Sequence, residues 1–345
     1  MNMEELAKLA GVSKGAVSLA LSGKPGIGQD TRERILRIAD EVGYTLKKQK
    51  APGESNGRSL RFLVFTNDGL VHEEYYQQPF FRELIHHIEE RCRTKGYTLI
   101  FSAIEQNSYE QGIQTVMNER TDGIILLGTN LHGSRISDIA DKLPNLVVLD
   151  TCFESLPVHF VEINNYMGAY QAGKYLAELG HQQLGYIASE ERIHNFDERK
   201  RGFLSAMAEH HLEISTSNIV SVPPTMFTSQ GPLREKLRKL MDNGQPFPTA
   251  FFCECDYIAI STMRALAELG LSIPEDVSVV GFDNINESLV LTPELTTVHV
   301  EKQQMAHWAV DLLTSLHTNS VVSAKIKIDT RFMERSSCKR LDSFQ

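Results

Sequence analysis

"GVSKGAVSLALSGKPG", residues 11–26, is the stretch on which the reading of this chain turns. Its first five residues, Gly11-Val12-Ser13-Lys14-Gly15, fit G-x-S-x-G, the strand-to-helix turn that exposes a nucleophilic serine in many hydrolases. That turn needs a buried strand before the serine. Residues 3–10, MEELAKLA, have helical periodicity instead, with Leu6, Leu9 and Ala10 on the apolar side and Asn2 and Glu5 in a capping-box arrangement. Gly11 closes this helix through a left-handed turn, and Ser13 caps a second helix over residues 14–21 that turns Val17 and Leu21 inward. Ser22-Gly23-Lys24-Pro25-Gly26 stops it. A third helix, residues 29–42, carries Ile35, Ile38, Ala39 and Val42 before Gly43 closes it. Helix, three-residue turn, helix is the DNA-binding helix-turn-helix, so Ser13 is a cap and not a nucleophile.

Charge distribution points the same way. The 345 residues carry a net charge of −9, yet residues 1–61 hold 11 Lys/Arg against 7 Asp/Glu. A basic head on an acidic body suits a head that meets a polyanion. Five cysteines without framework spacing, and a start without an apolar signal core, predict a reducing cytoplasm. No apolar run reaches the roughly 20 residues that span a bilayer, so no membrane association is expected.

Residues 47–59 form a basic Pro/Gly linker, with Pro52, Gly53 and Gly57 and no apolar periodicity. From Leu60 onward, short apolar runs alternate with amphipathic helices: RFLVF, YTLIF, GIILL, NLVVLD, LGYIA, AFFC and VSVVGFD. Continuous apolar strands between helices predict parallel sheets covered on both faces. Leu-Ala-Glu-Leu-Gly occurs at 176–180 and again at 266–270, each time ending a helix before a strand.

The head, "MEELAKLAGVSKGAVSLALSGKPGIGQDTRERILRIADEVGY", resembles that of the lactose/galactose-repressor (LacI/GalR) family. TDGIILL, VVLD, LAELGHQQLGYIAS, RKRGF, CDYIAI, IPEDVSVVGFDN and PELTTV continue the likeness in family order over nearly the whole chain. The resemblance implies a small all-α helix-turn-helix headpiece (1–46) and an α/β periplasmic-binding-protein-like core (60–345). The resemblance further implies a core of two Rossmann-like subdomains joined by three crossovers. The expected N-subdomain spans about 60–160 and 290–321, the C-subdomain about 161–289 and 322–340. The function implied is a cytoplasmic, homodimeric transcriptional repressor on pseudopalindromic double-stranded operator DNA, controlled by a small-molecule effector, expected to be a sugar.

In that family, the positions of Lys14, Gly15 and Leu19 read base edges. Lys14 can donate to guanine or to a phosphate; Gly15 offers no side-chain donor. Leu19 stands where many relatives have arginine, which leaves an apolar contact with a thymine methyl. Ser18, Ser22, Thr31 and Tyr44 are expected at phosphates or as caps, and Lys47, Lys48 and Lys50 along the backbone. Relatives often carry a hinge helix whose leucine wedges into the minor groove. Here "KKQKAPGES" has no leucine, and Pro52-Gly53 would break such a helix.

For the effector the resemblance implies Asp150, Arg199 and Asp283: carboxylates that accept hydroxyl protons and a forked guanidinium that donates. Asp256 belongs to the family's N-D-x-x-A motif, in which Cys255 replaces the asparagine. Tyr75, Tyr76, Phe80 and Phe81 of EYYQQPFF, with Phe153, Phe196, Tyr257 and Phe282, supply aromatic surface suited to a sugar ring or a purine. Cys253-x-Cys255 has no second ligand pair at zinc spacing, so these read as buried cysteines, with neither metal nor cofactor expected. Two alternatives stay open on the sequence. One is a carbohydrate-processing enzyme using Asp150 and Asp283; the other is a regulator answering to a sugar phosphate, purine or phosphoprotein.

Overall fold

The computed structural model describes residues 3–22, 26–41, 58–67, 70–224, 230–315 and 322–341. It divides into two compact units, residues 1–56 and 57–345.

The first unit holds α1 (Met3–Ala10), α2 (Lys14–Ser22) and α3 (Gln29–Glu41). Gly11 has φ +65°, and the amides of Gly11 and Val12 reach back to the carbonyls of Lys8 and Ala7, the double bond of a Schellman turn. The Ala16 amide then donates to Ser13 Oγ at 3.2 Å, so the serine caps α2. Leu6, Ala7, Ala10, Val17, Ala20, Ile35 and Ala39 form the core, with Val12, Leu21 and Ile38 packed against it. Leu9 departs from expectation. It is 57% exposed, although it stands as far from the middle of the Leu6–Ala10 arc on one side as the buried Ala7 does on the other. Val42 and Gly43 lie outside the described residues.

The second unit contains two parallel sheets. The first has the order β11-β5-β4-β3-β1-β2. Its strands are β1 (Arg58–Thr66), β2 (Tyr97–Glu105), β3 (Gly123–Leu127), β4 (Leu146–Leu149), β5 (His159–Ile163) and β11 (Lys325–Ile328). Helices α4 (Pro79–Thr94), α5 (Tyr109–Asn118), α6 (Gly133–Lys142) and α11 (Lys302–Ser315) accompany it. The second sheet is ordered β7-β6-β8-β9, from β6 (Leu184–Ser189), β7 (Ile219–Val222), β8 (Ala250–Cys253) and β9 (Ser278–Val280). Its helices are α7 (Asn165–Glu178), α8 (His194–Glu209), α9 (Gln230–Asp242) and α10 (Asp256–Glu268). A short antiparallel ladder, β10 (Thr297–His299) with β12 (Arg331–Met333), lies between β9 and the crossovers.

The seven apolar runs are all strands, for the reason anticipated: β3, β4 and β8 are buried along their whole length. The expected subdomain boundaries need correction. Strand β5 pairs with β4, and β11 pairs with β5, so residues 161–163 and 325–328 belong to the first sheet. Residues 290–299 lead into the ladder beside β9 and belong to the second. The alternation Lys-Ile-Lys-Ile in β11 marks an edge strand whose isoleucines are half-buried against the core, which leaves its sheet unstated in sequence.

Three chain crossings join the subdomains, after β5, after β10 and after β11. Two are latched together: the Asn164 amide donates to the Ile328 carbonyl at 2.7 Å, and Asn164 Nδ2 to Asp329 Oδ1 at 2.8 Å. Asn164 Oδ1 also accepts from the Met167 amide, capping α7. Helix α7 runs against α8 at backbone distance; a Cβ on Gly202 would lie 2.1 Å from the Tyr166 carbonyl oxygen, so only glycine fits there. Among the described residues, no helix is long and apolar enough to cross a membrane.

Candidate functional site

The strand ends of the two subdomains border a cleft of about 460 Å³ that opens to solvent. Asp150 follows β4 and Asp283 follows β9, both with left-handed backbone, φ +69° and +114°. Non-glycine residues hold such geometry at a cost of order 1–3 kcal/mol, and the cost concentrates at functional sites. Both carboxylates are almost fully buried and line the cleft.

Each is held by its surroundings. Asp150 accepts from Thr129 Oγ1 at 2.5 Å and from Asn195 Nδ2 at 3.0 Å. Burial pushes its pKa up to about 6, opposed by Thr129, Arg199 and Asn195. Arg199 uses all three guanidinium nitrogens: Nε donates to Asn165 Oδ1 at 2.9 Å, Nη1 to the Glu254 carbonyl at 2.6 Å, and Nη2 pairs with Asp283 Oδ1 at 3.0 Å. Its guanidinium carbon lies 3.8 Å from the Phe282 ring centre, a cation–π stack. Burial also raises the Asp283 pKa, against the pull of Arg199 and Lys302. The result is a polar wall whose donors and acceptors are held in place by protein partners.

Of the residues expected around an effector, the structure brings Phe80, Asp150, Arg199, Cys255 and Asp283 to the cleft, with Phe81, Phe196 and Tyr257 beside them. Tyr257 lines the cleft, and its hydroxyl accepts from the Phe80 amide at 3.2 Å. Tyr75, Tyr76, Phe153, Asp256 and Phe282 are elsewhere, Tyr75 being buried against Phe81. Tyr76 is 53% exposed and does not line the cleft. Asp256 is fully buried behind it, with Oδ1 accepting from Thr297 Oγ1 at 2.6 Å and Oδ2 from the Ile285 amide at 2.9 Å. Its carboxylate therefore braces the turn that carries Asp283. Phe153 packs on Phe160, and Phe282 is buried beneath Arg199. Cys253 and Cys255 are both buried, and Cys253 Sγ meets Thr262 Oγ1.

Sequence reasoning missed Thr129, Asn195 and Lys302. Asn195 stands four residues before Arg199 on α8, so helical spacing alone puts both on one face. Lys302 carried no such signal. It is buried, donates to the Asp283 carbonyl at 3.1 Å and pairs with Glu83 of α4 at 3.1 Å, so one ammonium spans the two subdomains.

In the head, α2 exposes Lys14, Gly15 and Ser18. Leu19 is half-buried and lies beside Gly26, whose Cβ would come within 3.1 Å of it. Ser22 ends α2, and Thr31 sits half-buried in the first turn of α3. Tyr44, Lys47, Lys48 and Lys50 lie outside the described residues.

A helix-turn-helix followed by two parallel α/β subdomains around a largely apolar cleft with one charged wall defines a ligand-responsive DNA-binding regulator. Residues 2–46 match the lacI family of bacterial regulatory proteins, and residues 174–338 match the periplasmic binding protein-like domain. The probable HTH-type transcriptional repressor ExuR of Bacillus subtilis is 32% identical over 352 residues, covering 99% of both chains. Among solved structures, a LacI family regulator from Enterococcus faecium with bound ribose is 25% identical, with a TM-score of 0.66 over 82% of this chain and 100% of that one. The lac repressor dimer bound to operator shares the fold at 19% identity, with a TM-score of 0.72 over 98% and 99% of the chains. The chain belongs to the lacI family: it is a LacI-type transcriptional repressor with an effector-binding core. Its relatives are repressors, which removes the ground for the enzyme reading.

Proposed function

We propose that this protein represses transcription as a homodimer on a pseudopalindromic operator, and that a small carbohydrate bound in the cleft controls its operator affinity. The observation that carries the carbohydrate reading is the fixed set Asp150, Arg199 and Asp283, two acceptors and a fork donor facing Phe80, Phe196 and Tyr257. A sugar offers hydroxyls at its edge and apolar C–H faces, and so needs both kinds of wall. The ribose held by the E. faecium relative supports the same class of ligand.

Lys14, Gly15, Ser18 and Leu19 are the surface offered to the major groove. Ser22, Thr31, Tyr44, Lys47 and Lys48 are assigned to phosphates, and acting on DNA places the protein in the cytoplasm. Dimerisation is supported by β2, an edge strand that leaves Phe101 51% exposed. A single short helix reads too few base pairs to select one genomic site, so two heads are needed.

A thermal-shift screen of the full chain against sugars, sugar phosphates and nucleobases tests the ligand class. The effector at 100 times its Kd should add about 2.7 kcal/mol of stability. A shift with nucleobases and none with any sugar would sink the carbohydrate reading.

A further inference from the structure

The charges that face the cleft restrict what it can hold. Among the described residues that line it, the charged ones are Asp150, Asp283 and Arg199. Residues 68–69 and 225–229, next in sequence to the lining residues Leu70 and Pro224, add Asp68 and no lysine, arginine or histidine. The single guanidinium is already answered: its Nη2 pairs with Asp283 at 3.0 Å, while Asn165 and the Glu254 carbonyl take Nε and Nη1. The wall is left with one negative charge in excess.

Two further cations approach lining residues, and both are spent. Lys302 Nζ lies 5.6 Å from the Phe80 ring centre, but the lysine is buried, donates to the Asp283 carbonyl and pairs with Glu83 at 3.1 Å. Arg192, 5.9 Å from the Phe196 ring centre, pairs with both Glu254 and Asp197 at 2.7 Å. Helix N-termini also attract anions, yet those at the cleft are occupied as well. Helix α8 carries Asp197 in its first turn and α10 carries Asp256; α4 opens with Pro79, which has no amide hydrogen, and its Phe80 amide donates to Tyr257.

A sugar hydroxyl suits this wall because it can donate to Asp150 and Asp283 and still accept from Arg199. A phosphate or carboxylate only accepts, so it brings another negative charge against two carboxylates. Burial, and more weakly the charge of Asp283, already push the Asp150 pKa up to about 6. Away from the wall an anion would meet Leu70, Phe80, Ile193 and Phe196, where it loses water and gains no partner.

We propose that the effector is an uncharged carbohydrate, and that the two carboxylates of the cleft refuse sugar phosphates and sugar acids. This deepens the carbohydrate reading above and rests on it. An anionic sugar should bind at least about tenfold more weakly than its neutral twin, since like charges set against each other are strongly disfavoured.

The test is titration calorimetry of the full-length protein at about pH 8, with neutral pentoses, hexoses and disaccharides, each beside its anionic twins. D-ribose is set against ribose 5-phosphate, D-glucose against glucose 6-phosphate and glucuronate, and D-galactose against galacturonate. The expected result is a neutral sugar that binds and twins that are at least tenfold weaker. An anionic probe bound more tightly than that overturns the proposal and leaves the carbohydrate reading standing. If no sugar of either kind binds, the reading and the proposal fall together. In Asp150→Asn, which removes one charge from the wall, the gap between the twins should narrow at least about threefold. An unchanged gap would take the discrimination away from these carboxylates and overturn the proposal; if that variant does not fold, the twins on the unaltered protein decide.

Discussion

Arg199 Nη2 lies 3.0 Å from Asp283 Oδ1, and only 3% and 5% of the two residues is exposed. Two charges taken out of water depend on each other: removal of one strands its partner, at a cost of about 3–5 kcal/mol. Asp283→Ala should therefore destabilise the core by that amount in denaturant unfolding. Arg199→Met added to Asp283→Ala should cost much less than the sum of the single changes. Strict additivity in this cycle would mean that the pair is not coupled.

Burial raises the pKa of Asp256 to about 7 and of Asp150 to about 6, and raises those of Glu254 and Asp283 as well. For such a carboxyl the folded state binds the proton more tightly than the unfolded chain. Its stabilising contribution is complete below the unfolded pKa, near 4, and is lost as pH rises to the folded pKa. Half-buried His159 and buried His181, whose pKa values desolvation lowers, act in the opposite direction over part of this range. The difference between the unaltered protein and Asp256→Asn isolates one group. Between pH 5 and 7 the unaltered protein should lose more stability than the variant does, and parallel melting curves across that range would refute the shift.

How much of this was legible depends on how local the cause is. Ser13 was readable because cap, turn and helix lie within six residues, and Asp150 and Asp283 because each ends an apolar strand. Asp256 was misplaced. Its partners Ile285 and Thr297 are 29 and 41 residues away, so a motif could mark the carboxylate but not which way it faces. Lys302 and β11 fail for the same reason: pairing across the two sheets is a tertiary choice with no local signature.

Ser13→Ala should destabilise the head by about 1 kcal/mol through loss of the bond from the Ala16 amide. Hydrogen exchange at Ala16 should quicken. Operator affinity should fall alike for all sequences while base preference stays the same; a changed preference would give Ser13 a reading role.

Leu19→Arg places a fork donor on the face that Lys14 and Gly15 share. A binding-site selection should then recover operators with a guanine at one new position in each half-site. An unaltered consensus would show that this face of α2 does not read the groove.

Operator affinity of the unaltered protein should fall steeply with added salt, since the contacts assigned around Lys14 and the lysines after α3 are largely ionic. A flat dependence would mean that phosphates are not what the head holds.

The double latch at Asn164, to the Ile328 carbonyl and to Asp329, gives the core something like a door's hinge pin. Two of the three connecting strands are tied at one height, so one half can swing about that line but resists sliding along it. The Gly202 contact stiffens the panel that swings, because α8, with Arg199, cannot shift against α7. Loosening Asn164 would alter how far the door travels while leaving the lock, Asp150 with Arg199 and Asp283, as it was.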